Sequence, residues 1–86
     1  MNEIEKFKRH VTAISGIYYR IDKGLLTGRN SDATDRSLEM HVRSAQALIT
    51  MDADTVGSPL CTYLDNNDRL SKKWNALERR FFGLRP

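Results

Sequence analysis

One cysteine, two prolines and no long apolar run set the first limits on this 86-residue chain. With Cys61 alone, no internal disulfide can form and no cysteine-rich zinc cage can be built; a reducing, cytoplasmic compartment is the simplest expectation. Pro59 and Pro86 both stand where a helix tolerates proline. No apolar stretch approaches the roughly 20 residues that a membrane span needs. The opening Met1-Asn2-Glu3-Ile4-Glu5-Lys6 also lacks the basic-then-apolar order of a signal peptide, so no membrane association is expected. Neither internal repeats nor low-complexity tracts are present. Hydrophobic residues at 40% and charged residues at 29% place the chain among compact globular domains rather than disordered segments, and its length suits one domain over 1–86.

What is there is helical periodicity. Ile4, Phe7, Val11, Ile14, Tyr18, Ile21 and Leu25 are spaced alternately three and four apart, which predicts a helix over about 2–26 with one apolar seam. Gly24 and Gly28 are the candidate stops, because glycine enters the left-handed conformation that ends helices. A polar loop over 27–33 follows, with Ser31, Asp32 or Thr34 able to cap the next helix. That helix, over about 33–54, repeats the seam with Leu38, Val42, Ala45 and Ile49, and carries a second apolar strip of Met40, Ala47, Leu48 and Met51. A helix apolar around well over half its circumference needs cover on two sides. Gly57-Ser58-Pro59 then punctuates the chain: Ser58 is a ready N-cap, and Pro59 fits the first helical position. A third helix over about 59–82 is predicted from Leu60, Tyr63, Asn67, Leu70, Trp74, Leu77 and Phe81. Asn67 falls within its seam, where a polar residue can fix register or oligomeric state or can be a partly exposed residue near a helix end. The expected fold is an all-α, antiparallel three-helix arrangement. The second strip of helix two would be covered by a second copy of the chain, giving a homodimer.

Few residues suggest chemistry. His10 and His41 are the only histidines, and neither has a second ligand at helical spacing. The segment Glu39-Met40-His41-Val42-Arg43-Ser44-Ala45 resembles a histidine phosphotransfer helix, but Ser44 stands where such helices carry a basic residue. Ile21-Asp22-Lys23-Gly24-Leu25-Leu26 with Arg29, followed by Asp35-Arg36-Ser37-Leu38-Glu39, is similar in order to the all-helical chorismate mutases. The spacing departs from theirs, and the early arginine of their first helix and the lysine of their linking region have no counterpart. Cys61 sits in a first helical turn, where the macrodipole favours a thiolate, without a histidine or resolving cysteine nearby in sequence. Carboxylates are scattered without the pairing that acid–base work requires. No catalytic residue, metal or cofactor is expected, and the chain reads as a non-enzyme.

The charge distribution says more than its total of +3. Residues 1–30 hold six Lys or Arg against three Asp or Glu, residues 31–57 two against five, and residues 58–86 six against three. Two basic helices around an acidic one is the plain meaning. Helix three also aligns Arg69, Lys73 and Arg80 at i, i+4 and i+11, and helix one aligns Lys6, Arg9, Arg20 and Lys23. The expected function is a small helical protein–protein interaction module: a regulator, inhibitor or assembly factor. Its partner-binding residues would be Met40, Ala47, Leu48 and Met51 on helix two, Arg69, Lys73 and Arg80 on helix three, and Phe82 leading the tail Phe82-Gly83-Leu84-Arg85-Pro86. The alternative is a nucleic-acid-binding regulator that uses the basic faces of helices one and three.

Overall fold

The first helix begins on an asparagine and ends on a glycine, both for identifiable local reasons. The computed structural model describes residues 2–25 and 31–83, with the side chains of Ser31 and Asp32 outside that description. Helix α1 spans Glu3–Asp22, and the Asn2 side chain accepts a hydrogen bond from the Glu5 amide at 2.8 Å, satisfying one of the orphan N–H groups of the first turn. At the far end Gly24 adopts φ +70°. The Leu25 amide donates to the Arg20 carbonyl and the Gly24 amide to that of Ile21, the paired bonds of a Schellman ending. Of the two expected stops, Gly24 is the one used; Gly28 and the rest of the expected loop up to Asn30 lie outside the described residues.

Helix α2 spans Ser31–Ala53, starting two residues before the expected boundary. Its seam holds as predicted: Leu38, Val42 and Ala45 are buried, and Ile49 packs against the core. On α1, Phe7, Val11, Ile14 and Tyr18 are buried. The end of that seam needs correction, because Ile21 and Leu25 are exposed and Ile17 is buried in their place. The helix stops at Asp22, so Leu25 belongs to the cap and no longer follows the helical repeat.

The expected third helix is two helices. Helix α3 spans Pro59–Asp65 and α4 spans Asp68–Gly83, so a single helix over 59–82 is not what the chain forms. Two adjacent asparagines cause the break. Asn66 closes α3 with φ −96° and ψ 2°, its side-chain amide donating to the Thr62 carbonyl at 2.9 Å. Asn67 opens α4, its side-chain oxygen accepting from the Leu70 amide at 3.2 Å. Short amides compete with the backbone ladder inside a helix and are favoured at its ends. Asn67 is therefore a cap and not a polar core residue.

The turn before α3 also differs from expectation. Ser58 occupies the cap position with φ +39°, but its side chain makes no capping bond and donates to the Thr55 carbonyl instead. The cap comes from Asp52, one seam step beyond Ile49 on α2. Its two carboxylate oxygens accept from the Leu60 amide at 3.0 Å and the Cys61 amide at 2.8 Å. Asp52 is the buried charged residue of the described chain, and these bonds make its burial tolerable.

Core side chains from all four helices form one cluster, with Leu60 and Leu64 of α3 and Trp74 and Phe81 of α4 joining those of α1 and α2. Trp74 is 4% exposed and meets the Phe7 ring edge-on, with centroids 5.5 Å apart. Trp74 thus occupies the core position its spacing indicates. No helix among the described residues is long and apolar enough to cross a membrane.

Candidate functional site

Two surfaces carry the residues that the sequence singled out. The first is the outer face of α2. At 100° per residue, Met40, Ala47 and Met51 fall within about 40° of one another and nearly opposite the buried seam of Leu38, Val42, Ala45 and Ile49. The structure agrees: Met40 is 50% and Met51 66% exposed, with Ala47 exposed between them. Leu48 departs from the group, being half-buried and packed against the core. Arg36 is exposed near the start of α2, and Asp54 is exposed just past its end. Arg43 flanks the strip, pairing with Glu39 at 3.8 Å and placing its guanidinium 5.5 Å from the centre of the Phe82 ring. Phe82 is 36% exposed and also stacks edge-on against Phe81. The rest of the expected anchor, Leu84-Arg85-Pro86, lies outside the described residues.

The second surface is the basic side of α4, and the structure divides it. Arg69 and Lys73 open into a cleft of about 390 Å³ at the α3–α4 elbow, which is also lined by Lys8, Val11 and Thr12 of α1 and by Tyr63, Asn67 and Leu70. No Asp or Glu is among its described lining residues. Arg80, on the same helical line, is engaged within the chain. It donates to both carboxylate oxygens of Asp22, at 2.7 and 3.0 Å, and lies 4.1 Å from the centre of the Tyr18 ring. The Asp22 carboxyl is held below its usual range, first by its hydrogen bond to Arg80 and then by nearby positive charge, which together outweigh desolvation. The three residues therefore share a stripe but not a surface.

Helix α1 shows similar engagement. Lys6 pairs with Glu3 at 3.3 Å, Arg20 donates to the Gly16 carbonyl, and Lys23 lies over the Tyr19 ring. Lys8, outside the expected stripe, is the α1 cation that meets Arg69 and Lys73. Sequence reasoning missed Lys8, Thr12 and Tyr63 as surface partners. They line the cleft with Arg69 and Lys73 of α4 where the Asn66-Asn67 break turns the chain, and that pair was the available signal.

The two histidines, 31 residues apart, meet between α1 and α2 with their Nδ1 atoms 2.9 Å apart. Their ring centres are 5.2 Å apart. A ring centre lies about 1.15 Å from its own nitrogen by covalent geometry, so the two nitrogens and two centres are nearly collinear. That is the alignment of an N–H···N hydrogen bond, with one imidazole donating. Burial, and then the neighbouring His41, lower the His10 pKa. Burial, and then the neighbouring Asp52 carboxylate, push the Cys61 thiol pKa up. Among the described residues no group of three His, Cys, Asp or Glu side chains could hold a metal. Comparison with known protein families, characterised proteins and solved structures finds no match to this chain.

Proposed function

We propose that the chain is a non-enzymatic protein–protein interaction module built on an antiparallel helical frame, and that it acts as a homodimer joined through the outer face of α2. The observation that carries this reading is the exposure of Met40, Ala47 and Met51 along one line of a helix whose opposite side is already buried. Methionines adapt to a partner's contours at little steric cost, and an isologous contact uses one patch twice. The strip is compatible with itself in one register. With the two-fold axis between Ser44 and Ala47, antiparallel copies of α2 set Met40 against Met51 of the second copy. The small residues Ser44 and Ala47 then meet at the crossing. Such a dimer leaves Arg69 and Lys73 clear of the contact and would act as a small regulator, inhibitor or assembly factor.

Met51→Lys tests this. An unpaired ammonium buried at such a contact costs several kcal/mol, so light scattering should show the pair dissociated while helical circular dichroism persists. Unchanged association in Met51→Lys would remove α2 as the interface. The second reading, a nucleic-acid-binding regulator, is favoured by the convergence of Lys8, Arg69 and Lys73. It calls for tight DNA or RNA binding with a steep salt dependence.

A further inference from the structure

We infer that the elbow cleft formed by Lys8, Arg69, Lys73, Tyr63 and Asn67 is a binding site for a compact phosphoryl ligand carrying two or more negative charges. The cleft volume of about 390 Å³ lies within the range of small-molecule sites. Three cations line it and no described carboxylate does, so its field is of one sign and concentrated between low-dielectric walls. Val11 is buried and Leu70 half-buried, giving the cleft an apolar floor beneath a charged rim.

Tyr63 supplies the orienting group. Its phenol oxygen accepts from the Asn67 side-chain amide at 3.1 Å, and Lys8 lies 4.9 Å from the centre of its ring. The nearby Lys8 ammonium, and then the Asn67 hydrogen bond, hold the phenol pKa below its ordinary value. The Asn67 amide nitrogen donates to the phenol oxygen, which leaves the phenol's own proton to donate to an oxyanion in the cleft. Asn67 is fixed in turn, because its oxygen caps α4 at Leu70. The same asparagine that breaks the helix therefore sets the hydroxyl.

The distribution of the other cations favours a compact ligand over a nucleic-acid backbone. A backbone track needs successive open charges. Of the cations on the expected stripes, Arg80 of α4 is occupied by Asp22, and Lys6, Arg20 and Lys23 of α1 each have a contact of their own, while Arg9, Lys72 and Arg79 are exposed and line no part of this cleft. Lys8, Arg69 and Lys73 are the three cations that share the wall of this one cleft. This cleft stands apart from the α2 face, so failure of the dimer would leave it untouched, and the reverse also holds.

The test is titration of the whole chain with inorganic pyrophosphate, followed by calorimetry and by thermal shift, against sodium chloride at matched ionic strength. Saturable binding with a rise in Tm is expected for the wild type and for Met51→Lys. Arg69→Ala with Lys73→Ala should weaken it about tenfold or more, because charge-assisted hydrogen bonds are the strong ones. Tyr63→Phe should weaken it about threefold or more with circular dichroism unchanged. Pyrophosphate acting no differently from chloride, or equally on wild type and the double variant, would overturn the site. So would a short DNA duplex that binds with a steep salt slope and is not displaced by pyrophosphate, since the cleft would then belong to a phosphodiester track.

Discussion

Helices α2 and α4 each carry a face beyond the one they bury, and the two faces have met different fates. On α2 the extra face is apolar and open, with Met40 and Met51 standing out from the protein. On α4 it is cationic, and α1 runs alongside it. Asp22 and Tyr18 close one end around Arg80, while Lys8 adds charge to the other end around Arg69 and Lys73. A stripe on a helical wheel becomes a surface only where neighbouring helices leave it clear. An apolar face in water gains by finding another apolar surface. A cationic face in water is already solvated, and gains only where geometry concentrates it.

The largest effect expected is the loss of the frame that positions both faces. Trp74→Ala removes the ring that meets Phe7 and holds α4 to α1, at a cost of about 3–5 kcal/mol, which a domain of this size survives poorly. Chemical denaturation should show the loss, and Phe7→Ala should move stability in the same direction. The next effect concerns Asp52. Burial alone would raise its pKa, but hydrogen bonds from the Cys61 and Leu60 amides outweigh this and hold it below the ordinary 3.8. A carboxyl depressed in the folded state contributes stability that is present above its unfolded value and lost as pH falls through the folded one. Asp52→Asn should lower Tm near neutral pH and flatten the acid limb of the Tm-against-pH curve.

Smaller effects separate the two ends of α4. Arg80→Ala should lower Tm more than Lys73→Ala, because only Arg80 is bonded across to α1. Arg69→Ala and Lys73→Ala should each shift stability by no more than roughly 0.5 kcal/mol. Equal Tm losses at all three positions would erase the distinction drawn between the closed and open ends. The histidine pair gives the smallest effect. His10 has a folded pKa below its ordinary 6.5, so the unfolded chain takes up its proton first. Its share of stability is present above that value and lost as pH falls through the folded one. His10→Gln should reduce the slope of Tm against pH in this window.

Much of the frame was legible in the sequence. The seam of Leu38, Val42 and Ala45 and the place of Trp74 followed from spacing, and Gly24 was marked as a stop by its backbone freedom. The misplaced features depend on polar side chains reaching the backbone. Asn67 fell on a continuous apolar repeat, because periodicity does not register which of two states an amide prefers. Asp52 extends the α2 seam, and nothing local shows that its partners are amides eight and nine residues on. The candidate surfaces divided in the same way. Met40 and Met51 were found because a face can be read along one helix. The cleft was missed because Lys8 and Arg69 belong to helices brought together by the elbow.

The central claim, that the α2 face joins two copies of the chain, is met most directly by sedimentation equilibrium of the wild-type protein over rising micromolar concentration. The expected result is a molar mass close to twice the 9.9 kDa of the chain, falling to the single-chain value on dilution or in Met51→Lys. A wild-type protein that remains at 9.9 kDa throughout that range would contradict the claim.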